Sequence, residues 1–338
     1  MTFEKFQSFE GSQDRNMVLF PLYRREYMKS EKFIKTTLEI VGFPFTLANM
    51  YVNKKNRVSE IGDLVQINDR VVHTVVSEYE EATCTVLLDA GLSCCSMDWY
   101  NIQPQLAKFC RVISFDRAGY GWSSATNQPY TSEDVVDDLS EILEKLQIKP
   151  PYILVGHSFG GLNMRLFASK YPNKVASLIL IDAVHENRYL SSEWDAVRRK
   201  VHKKNLNVFK FGYLTSGLGL PKLLKHPVGR KQLPEPYQRC IKYIGYHPKS
   251  YEAVYKEFLY SEKSAMQLVK SKPLNEDLSV TIISSNNRDQ TWIEHQELLC
   301  NLTNNTLHIK TNNNHSIHLE NPELVIDKIR SAVKLLSE

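Results

Sequence analysis

The feature that most constrains the fold of this chain is an alternation of short apolar runs with longer amphipathic segments, which begins near Gly62. Buried strands of a parallel sheet read as short continuous apolar runs, whereas the helices between them carry apolar residues with a period of about 3.6. Strands that alternate with helices pair in parallel through right-handed crossovers. The sequence therefore predicts an α/β protein with a mostly parallel sheet. The predicted strands are residues 63–67, 70–76, 85–88, 112–115, 152–155, 178–181, 280–284 and 307–310.

The alternation stops after Ile181 and resumes at Val280, and a structureless loop of that length is improbable in a compact protein. Several helix-like segments lie in the gap, so we expect an inserted helical subdomain. The predicted organisation is a helical N-terminal extension, a core in two parts and a helical cap inserted between them. The extension covers residues 1–61, the core covers 62–185 and 276–338, and the cap covers 186–275.

Composition excludes several classes of protein. Of the 338 residues, 42% are hydrophobic, which is ample for a large core and rules out global disorder. The net charge of +4 is too small to indicate a nucleic-acid-binding protein. The six cysteines include no CxxC pair, so neither a disulfide framework nor a structural zinc site is expected. Free thiols fit a reducing compartment and the first residues do not read as a signal peptide, so we expect a cytoplasmic location.

Residues 33–52 are the most apolar stretch near the N-terminus. Lys35, Glu39 and Pro44 interrupt this stretch, and a spanning helix needs about 20 mostly apolar residues, so a membrane span is not expected. One interpretation is a helix packed on the domain surface. The other is an interfacial segment, peripheral to an anionic membrane and assisted by the basic cluster at residues 54–57.

The charge is distributed unevenly along the chain. Residues 186–273 carry a net charge of +11, while the rest of the chain carries −7. A solvated helical surface accounts for this basic block without any function. The alternative is that the block favours anionic substrates or an anionic membrane surface.

The sharpest motif is Gly156-His157-Ser158-Phe159-Gly160, which follows one predicted strand directly and precedes a helix. A G-x-S-x-G sequence in this context predicts a tight turn that projects the serine hydroxyl from the edge of the sheet. The glycines are needed because a β-carbon at either position would clash with neighbouring backbone. We therefore predict that Ser158 is a nucleophile.

This motif and two others are similar to those of one known group. On these motifs the chain resembles the α/β-hydrolase superfamily, and within it the cap-bearing serine-dependent hydrolases. Residues 115–123 (FDRAGYGWS) are similar to the D-R-x-G-x-G-x-S loop of that group, and residues 313–323 (NNHSIHLENPE) are similar to its terminal histidine segment. The resemblance implies an α/β-hydrolase fold, with a mostly parallel eight-stranded sheet flanked by helices and an inserted helical cap. It also implies a Ser-His-Asp triad.

The general base is expected to be His315, which follows the last predicted strand and a polar loop. In the family pattern H-x-x-H-L-x-x-P the base is the first histidine, so His318 is the alternative and is otherwise a packed, hydrogen-bonded residue. His157, beside the serine, is expected to line the pocket, because the turn directs neighbouring side chains apart.

The acid that orients the histidine is expected to be Asp289, because chain order in this fold is Ser, acid, His and Asp289 follows the strand 280–284 across a short polar turn. Asp182, at the end of the preceding strand, is the alternative, since some relatives carry the acid there. Glu294 lies in an apparent helix and is expected to be solvated.

Two backbone donors should form the oxyanion hole, namely the N–H groups of Phe159 and Leu92. Leu92 aligns with the second donor of the family. Relatives usually have His-Gly before that donor, whereas this chain has Ala90-Gly91.

The expected activity is hydrolysis of carboxylic esters of small or lipid-like molecules through an acyl-enzyme, with no metal and no organic cofactor. A serine nucleophile excludes chemistry like that of epoxide hydrolases and haloalkane dehalogenases, which use Asp at that position. Other chemistry on the same triad (aminopeptidase, amidase, C–C bond hydrolase or cofactor-free haloperoxidase) and a non-catalytic ligand-binding protein are the alternatives. Phe159 weakens a proline-iminopeptidase interpretation, because those relatives often carry Trp after the serine.

Overall fold

A computed structural model describes residues 28–230 and 233–336, and an eight-stranded sheet forms its centre. The strand order is β1-β2-β4-β3-β5-β6-β7-β8. β2 pairs antiparallel with β1 and β4, and all other neighbours are parallel. The predicted strands and the predicted fold are confirmed. The strands are β1 Asp63–Ile67, β2 Arg70–Ser77, β3 Thr85–Asp89, β4 Arg111–Phe115, β5 Tyr152–His157, β6 Val175–Ile181, β7 Ser279–Ser285 and β8 Thr306–Thr311.

Helices cover both faces of the sheet and fill the gap between β6 and β7. We number the helical residues 28–41 as α1, although the part of the chain before residue 28 is outside the described residues. The others are α2 Phe43–Lys55, α3 Gln103–Leu106, α4 Ser132–Lys145, α5 Phe159–Lys170, α6 Ala196–Thr215, α7 Leu220–Leu223, α8 Tyr237–Ile244, α9 Pro248–Leu259, α10 Ser261–Lys270, α11 Gln290–Leu299, α12 Ile317–Glu320 and α13 Pro322–Leu335.

The sheet separates two apolar cores because successive side chains of a strand point to opposite faces. On β5, Leu154 packs in one core with residues of α4 and α5. Ile153 and Val155 pack in the other core with residues of α3 and α13. Both faces of the strand are therefore buried, which explains its continuous apolar sequence.

Side-chain caps mark the starts of two helices of the core. The carboxylate of Asp134 accepts the backbone N–H of Thr131 at 2.7 Å at the start of α4. The side chain of Asn321 accepts the N–H of Leu324 at 3.3 Å at the start of α13. Such caps satisfy donors that have no partner within the helix.

Helices α6 to α10 lie between β6 and β7 and form what we call the insertion. The N-terminal helices α1 and α2 pack on the insertion through side chains such as Asn49, which donates to the carbonyl oxygens of Ser216 and Gly217 at 3.0 Å each. The helix break at Gly42 precedes Pro44, which lacks the N–H that would continue the hydrogen-bonding pattern. Across residues 28–230 and 233–336, no helix is both long and apolar enough to cross a bilayer.

Candidate active site

Ser158 occupies the turn between β5 and α5 with a strained backbone, at φ 51° and ψ −116°. The flanking glycines permit this turn, as predicted. A β-carbon built on Gly156 would lie 2.5 Å from the Cα of Gly161, and one on Gly160 would collide with the carbonyl oxygen of Asp89. The Ser158 N–H donates to Ile181 at 3.1 Å, which holds the turn against the end of β6. Strain of this kind persists where surrounding structure enforces it, and it is common at functional sites.

His315 lies in the loop between β8 and α12 and faces the serine. Its Nε2 is 3.0 Å from the Ser158 hydroxyl oxygen, within hydrogen-bond distance. Its ring is partly exposed, with 28% of the side chain accessible. The two residues expected to act as nucleophile and base are therefore in direct contact.

Asp182 completes a hydrogen-bonded chain with these two residues. Its Oδ2 is 2.5 Å from Nδ1 of His315. Its Oδ1 accepts the Ser285 N–H at 3.1 Å and the Trp292 indole N–H at 3.0 Å. The carboxylate is fully buried, and these donors fix its position.

The expected pairing of Asp289 with His315 is wrong, and the reason is local. Asp289 is the N-terminal cap of α11, where its carboxylate accepts the Trp292 N–H at 3.0 Å and is 55% exposed. The helix that starts there brings Trp292, rather than Asp289, to the histidine. The indole ring stands perpendicular to the His315 ring, with centroids 5.2 Å apart.

A signal for Asp182 was present in the sequence. β5 and β6 are adjacent, with His157 paired to Ile181, so the residues that follow these strands, Ser158 and Asp182, meet at the carboxyl edge of the sheet. Asp289, in contrast, precedes a helical segment with the spacing of a capping residue.

Burial lowers the pKa of His315 below its ordinary value, and the hydrogen bond and charge of Asp182 oppose this effect only in part. The imidazole is therefore neutral near pH 7. A neutral ring can accept the serine proton, and Asp182 keeps the other nitrogen protonated.

The loop after β3 lies close to the serine, where the predicted second oxyanion donor, Leu92, is found. A β-carbon built on Gly91 would be 2.9 Å from Nδ1 of His157 and 3.2 Å from the Cβ of Ser158, so a larger residue would crowd both side chains. The Cys94 N–H donates to the Gly91 carbonyl at 3.1 Å and closes a turn over Leu92 and Ser93. The backbone N–H of Phe159 stands at the first position of α5, where intrahelical partners are lacking. The assignment of both donors stays a prediction.

Sequence reasoning missed the group that holds this loop. The buried guanidinium of Arg117 donates to the carbonyl oxygens of Ala90 at 2.6 Å and Gly91 at 2.8 Å and pairs with the carboxylate of Asp89. It also donates to Glu257 of α9 at 2.7 Å. Arg117 thus holds the loop through its main-chain carbonyls and ties it to the insertion.

A second polar cluster lies behind His315. The His157 and His318 rings are 4.3 Å apart, and Nε2 of His157 is 2.9 Å from the His315 carbonyl oxygen. His318 is 3.7 Å from the carboxylate of Asp98, which accepts from Arg230 of the insertion at 2.9 Å. His157 and His318 therefore pack behind the loop that carries His315.

Another group has the residue types of a metal site. Glu297, Cys300 and His308 bring possible ligand atoms within 4.8 Å of one another. Lys310 already pairs with Glu297 at 2.5 Å, and burial raises the pKa of the Cys300 thiol. We assign this group no part in the reaction.

The sequence profile of the family described as alpha/beta hydrolase fold matches residues 85–322, which is more than half of the chain. The chain belongs to the α/β-hydrolase family. A proline iminopeptidase of Pestalotiopsis fici is 27% identical over 80% of this chain and 98% of its own length. A 2-hydroxy-6-oxo-2,4-heptadienoate hydrolase of Pseudomonas putida is 36% identical over 30% of this chain and 36% of its own length. Among solved structures, the epoxide hydrolase CorEH superimposes with a TM-score of 0.64 at 17% identity, over 82% of this chain and 99% of that one.

Membership of this family supports a hydrolase activity. The solved structures share the fold at low identity, and the two relatives are named for different activities. The substrate of this α/β-hydrolase must therefore be argued from its own site.

Proposed function

We propose that this protein is a serine hydrolase that cleaves carboxylic esters of small or lipid-like molecules. The observation that carries the proposal is the continuous chain from Ser158 through His315 to Asp182, at 3.0 and 2.5 Å. This is the arrangement that activates a serine hydroxyl, a poor nucleophile by itself.

The proposed reaction has two steps. The Ser158 oxygen attacks the ester carbonyl while Nε2 of His315 takes its proton, and the N–H groups of Phe159 and Leu92 stabilise the oxyanion. His315 returns the proton to the departing alcohol, which leaves an acyl-enzyme. Water then attacks the acyl group with His315 as base, and this step releases the acid and restores the Ser158 hydroxyl.

The charges around the site favour esters over substrates with a free amino terminus. An aminopeptidase has to bind a cationic ammonium group, for which an unpaired carboxylate is the natural partner. Here the carboxylate of Asp182 has Arg288 at 3.7 Å, that of Asp98 has Arg230 at 2.9 Å, and that of Glu257 has Arg117 at 2.7 Å. These three carboxylates are therefore already compensated.

Aminopeptidase activity is the second candidate, because the relative matched over 80% of this chain is a proline iminopeptidase. A panel of p-nitrophenyl esters with different acyl lengths, aminoacyl anilides and C–C hydrolase substrates separates the candidates. The ester proposal expects kcat/KM to be highest on an ester. Faster turnover of aminoacyl anilides than of every ester would overturn it.

The nucleophile is tested by Ser158→Ala, which should reduce ester turnover by about 10⁶-fold and abolish labelling by a fluorophosphonate probe. Ser192→Ala, at an exposed serine shortly before α6, is the matched control and should retain both. Labelling that persists in Ser158→Ala, or is lost in Ser192→Ala, would contradict the assignment.

A further inference from the structure

Helices α1 and α2 have the reverse of the polarity expected on a water-exposed surface. Their buried side chains are polar, with Glu31 1% exposed and Asn49 7% exposed. Their exposed side chains include large aromatic residues, among them Phe33 at 73%, Phe43 at 60% and Phe45 at 70%. A helix packed on a soluble protein normally buries its apolar stripe and exposes its polar one.

Specific contacts hold the helices in this orientation. Glu31 accepts the Tyr255 hydroxyl at 2.6 Å and pairs with Lys210 at 2.6 Å, so it is fixed to both α9 and α6. Asn49 is fixed to the end of α6 by its two hydrogen bonds to main-chain carbonyls. Rotation of either helix to bury its apolar side would break these buried polar contacts, each of which is costly to lose.

The result is one apolar surface, which we call the outer face. Helix α7 lies beside α2, because Lys222 of α7 donates to Asn53 of α2 at 3.2 Å. The leucines at the end of α7 therefore extend the same surface. Monomeric soluble proteins rarely expose an apolar patch of this extent without a binding function. The outer face comprises Phe33, Ile34, Leu38, Ile40, Val41, Phe43, Phe45, Leu47, Met50, Tyr51, Val52, Leu223 and Leu224, all at least 37% exposed.

The charges at its edge are positive. Lys54, Lys55 and Arg57 are exposed where α2 ends. The two acidic residues of residues 28–57 are compensated, because Glu31 is buried against Lys210 and Glu39 lies 3.6 Å from Lys35. A two-fold contact with a second copy would bring the same basic cluster towards itself. An anionic bilayer instead matches both the apolar area and the positive rim.

We propose that the outer face docks this protein on an anionic lipid bilayer, with α1 and α2 lying in the interface. Such helices bury their apolar side chains about 5–10 Å into the boundary between headgroups and acyl chains. The helices do not cross the membrane. The docked element is joined to the catalytic region through α9, which carries both Tyr255, bonded to Glu31, and Glu257, bonded to Arg117.

The test is co-sedimentation of the full chain with vesicles of phosphatidylcholine alone and of phosphatidylcholine with phosphatidylserine. The wild type should bind the anionic vesicles at low salt and bind neutral vesicles less. Phe43→Ser/Phe45→Ser should weaken binding by at least about tenfold, because burial of the two rings together contributes more than about 1.4 kcal/mol. Lys54→Gln/Lys55→Gln should weaken binding to anionic vesicles by roughly tenfold and leave binding to neutral vesicles unchanged.

Leu307→Ser/Leu335→Ser is the matched control, since these leucines are 52% and 69% exposed on β8 and α13. It should bind as the wild type does. Ser158→Ala should also bind normally, so a failure of docking is separable from a failure of the hydrolase proposal.

Three results would overturn the docking proposal. The first is a wild type that stays in the supernatant at low salt, and the second is a Phe43→Ser/Phe45→Ser variant that sediments like the wild type. The third is a wild type that is a stable dimer without lipid and becomes monomeric in that variant, as measured by sedimentation velocity. That result would identify a second copy as the occupant of the outer face.

Discussion

The insertion meets charged residues on its inner side and carries apolar ones towards solvent on its outer side. On the inner side, Arg117 and Glu257 are 2% and 3% exposed and bonded to each other. On the outer side, the phenylalanines of α2, which packs on the insertion, are at least 60% exposed. In both places, the usual distribution of polar and apolar side chains is reversed.

The difference lies in how each reversal is compensated. Each buried charge on the inner side has a partner within the protein, and this condition makes a buried ion pair tolerable. The exposed side chains of the outer face gain nothing from the protein. The inner side is therefore built to fix atoms in place, whereas the outer face is the surface that we propose to dock on a bilayer.

Among the changes that compare these two regions, the largest effect is expected from Asp182→Asn, which keeps the shape of the buried carboxylate but removes its charge. The amide no longer stabilises the correct tautomer and the protonated form of His315, so kcat on a p-nitrophenyl ester should fall by about 10⁴-fold. Vesicle binding should not change, because the outer face is untouched. Steady-state kinetics and co-sedimentation of the same preparation measure both.

Asp289→Asn is the matched control for this change. Asn is also a good helix cap, and the side chain at 289 does not contact His315, so kcat should remain within about twofold of the wild type. A larger loss in Asp289→Asn than in Asp182→Asn would reverse the assignment of the acid.

The next largest effect is expected on stability, from Arg117→Met. The substitution leaves Asp89 and Glu257 buried without their cation, so the free energy of unfolding should fall by about 3–5 kcal/mol. Urea denaturation followed by circular dichroism measures the change. Glu257→Gln keeps a hydrogen-bond acceptor for Arg117 and should cost less. Equal stability of Arg117→Met and the wild type would show that the charges on the inner side are not coupled as the distances indicate.

Much of this molecule was predictable because its core obeys local rules. The five central strands, β3 to β7, were found from their apolar runs, since burial on both faces leaves little room for alternation. Ser158 and His315 were found because a strained turn between a strand and a helix, and a loop after the last strand, have recognisable sequences.

Two features could not be predicted from local sequence. They are the aspartate that pairs with His315 and the exposure of the outer face. Asp182 and Asp289 both follow strands that end at the same edge of the sheet, and the choice depends on which side chain a new helix uses as its cap. For residues 33–52 the sequence left two interpretations open, a helix packed on the domain surface and a segment at a membrane interface. Both need a large apolar surface, so apolar content alone does not separate them. The exposure of Phe43 results instead from distant partners of Asn49 and Glu31 in the insertion.

A smaller effect is expected when the pH is lowered. Acid should reduce the free energy of unfolding through the buried histidines of the core and the insertion, and not through α1 and α2. In the unfolded chain, histidines have a pKa near 6.5. Between that pH and the lower pKa of the folded protein, the unfolded state binds more protons than the folded state. The free energy of unfolding should be fully retained above about pH 6.5 and decline below it. Burial lowers the pKa of His157, His185, His247, His295, His308, His315 and His318.

His73 acts in the opposite direction, because the charge and hydrogen bond of Asp116 outweigh its burial and raise its pKa. It is one group against seven, so the net direction is unchanged. Helices α1 and α2 contain no histidine between residues 28 and 55. Urea midpoints at about pH 7.5 and about pH 5.5 check the prediction, and an equal or higher midpoint at the lower pH would contradict it.

The smallest effect, and the one that separates the two regions most directly, comes from single substitutions within α2. Phe45→Ser should change the free energy of unfolding by less than about 0.5 kcal/mol, because the ring is already in water in the folded protein. Asn49→Leu should cost about 1–3 kcal/mol, because the carbonyl oxygens of Ser216 and Gly217 lose their donor in a buried place. Both are measured by urea denaturation without lipid. If Phe45→Ser were the more damaging change, the ring would have to be covered in solution, and the outer face would belong to the protein's own packing rather than to a membrane.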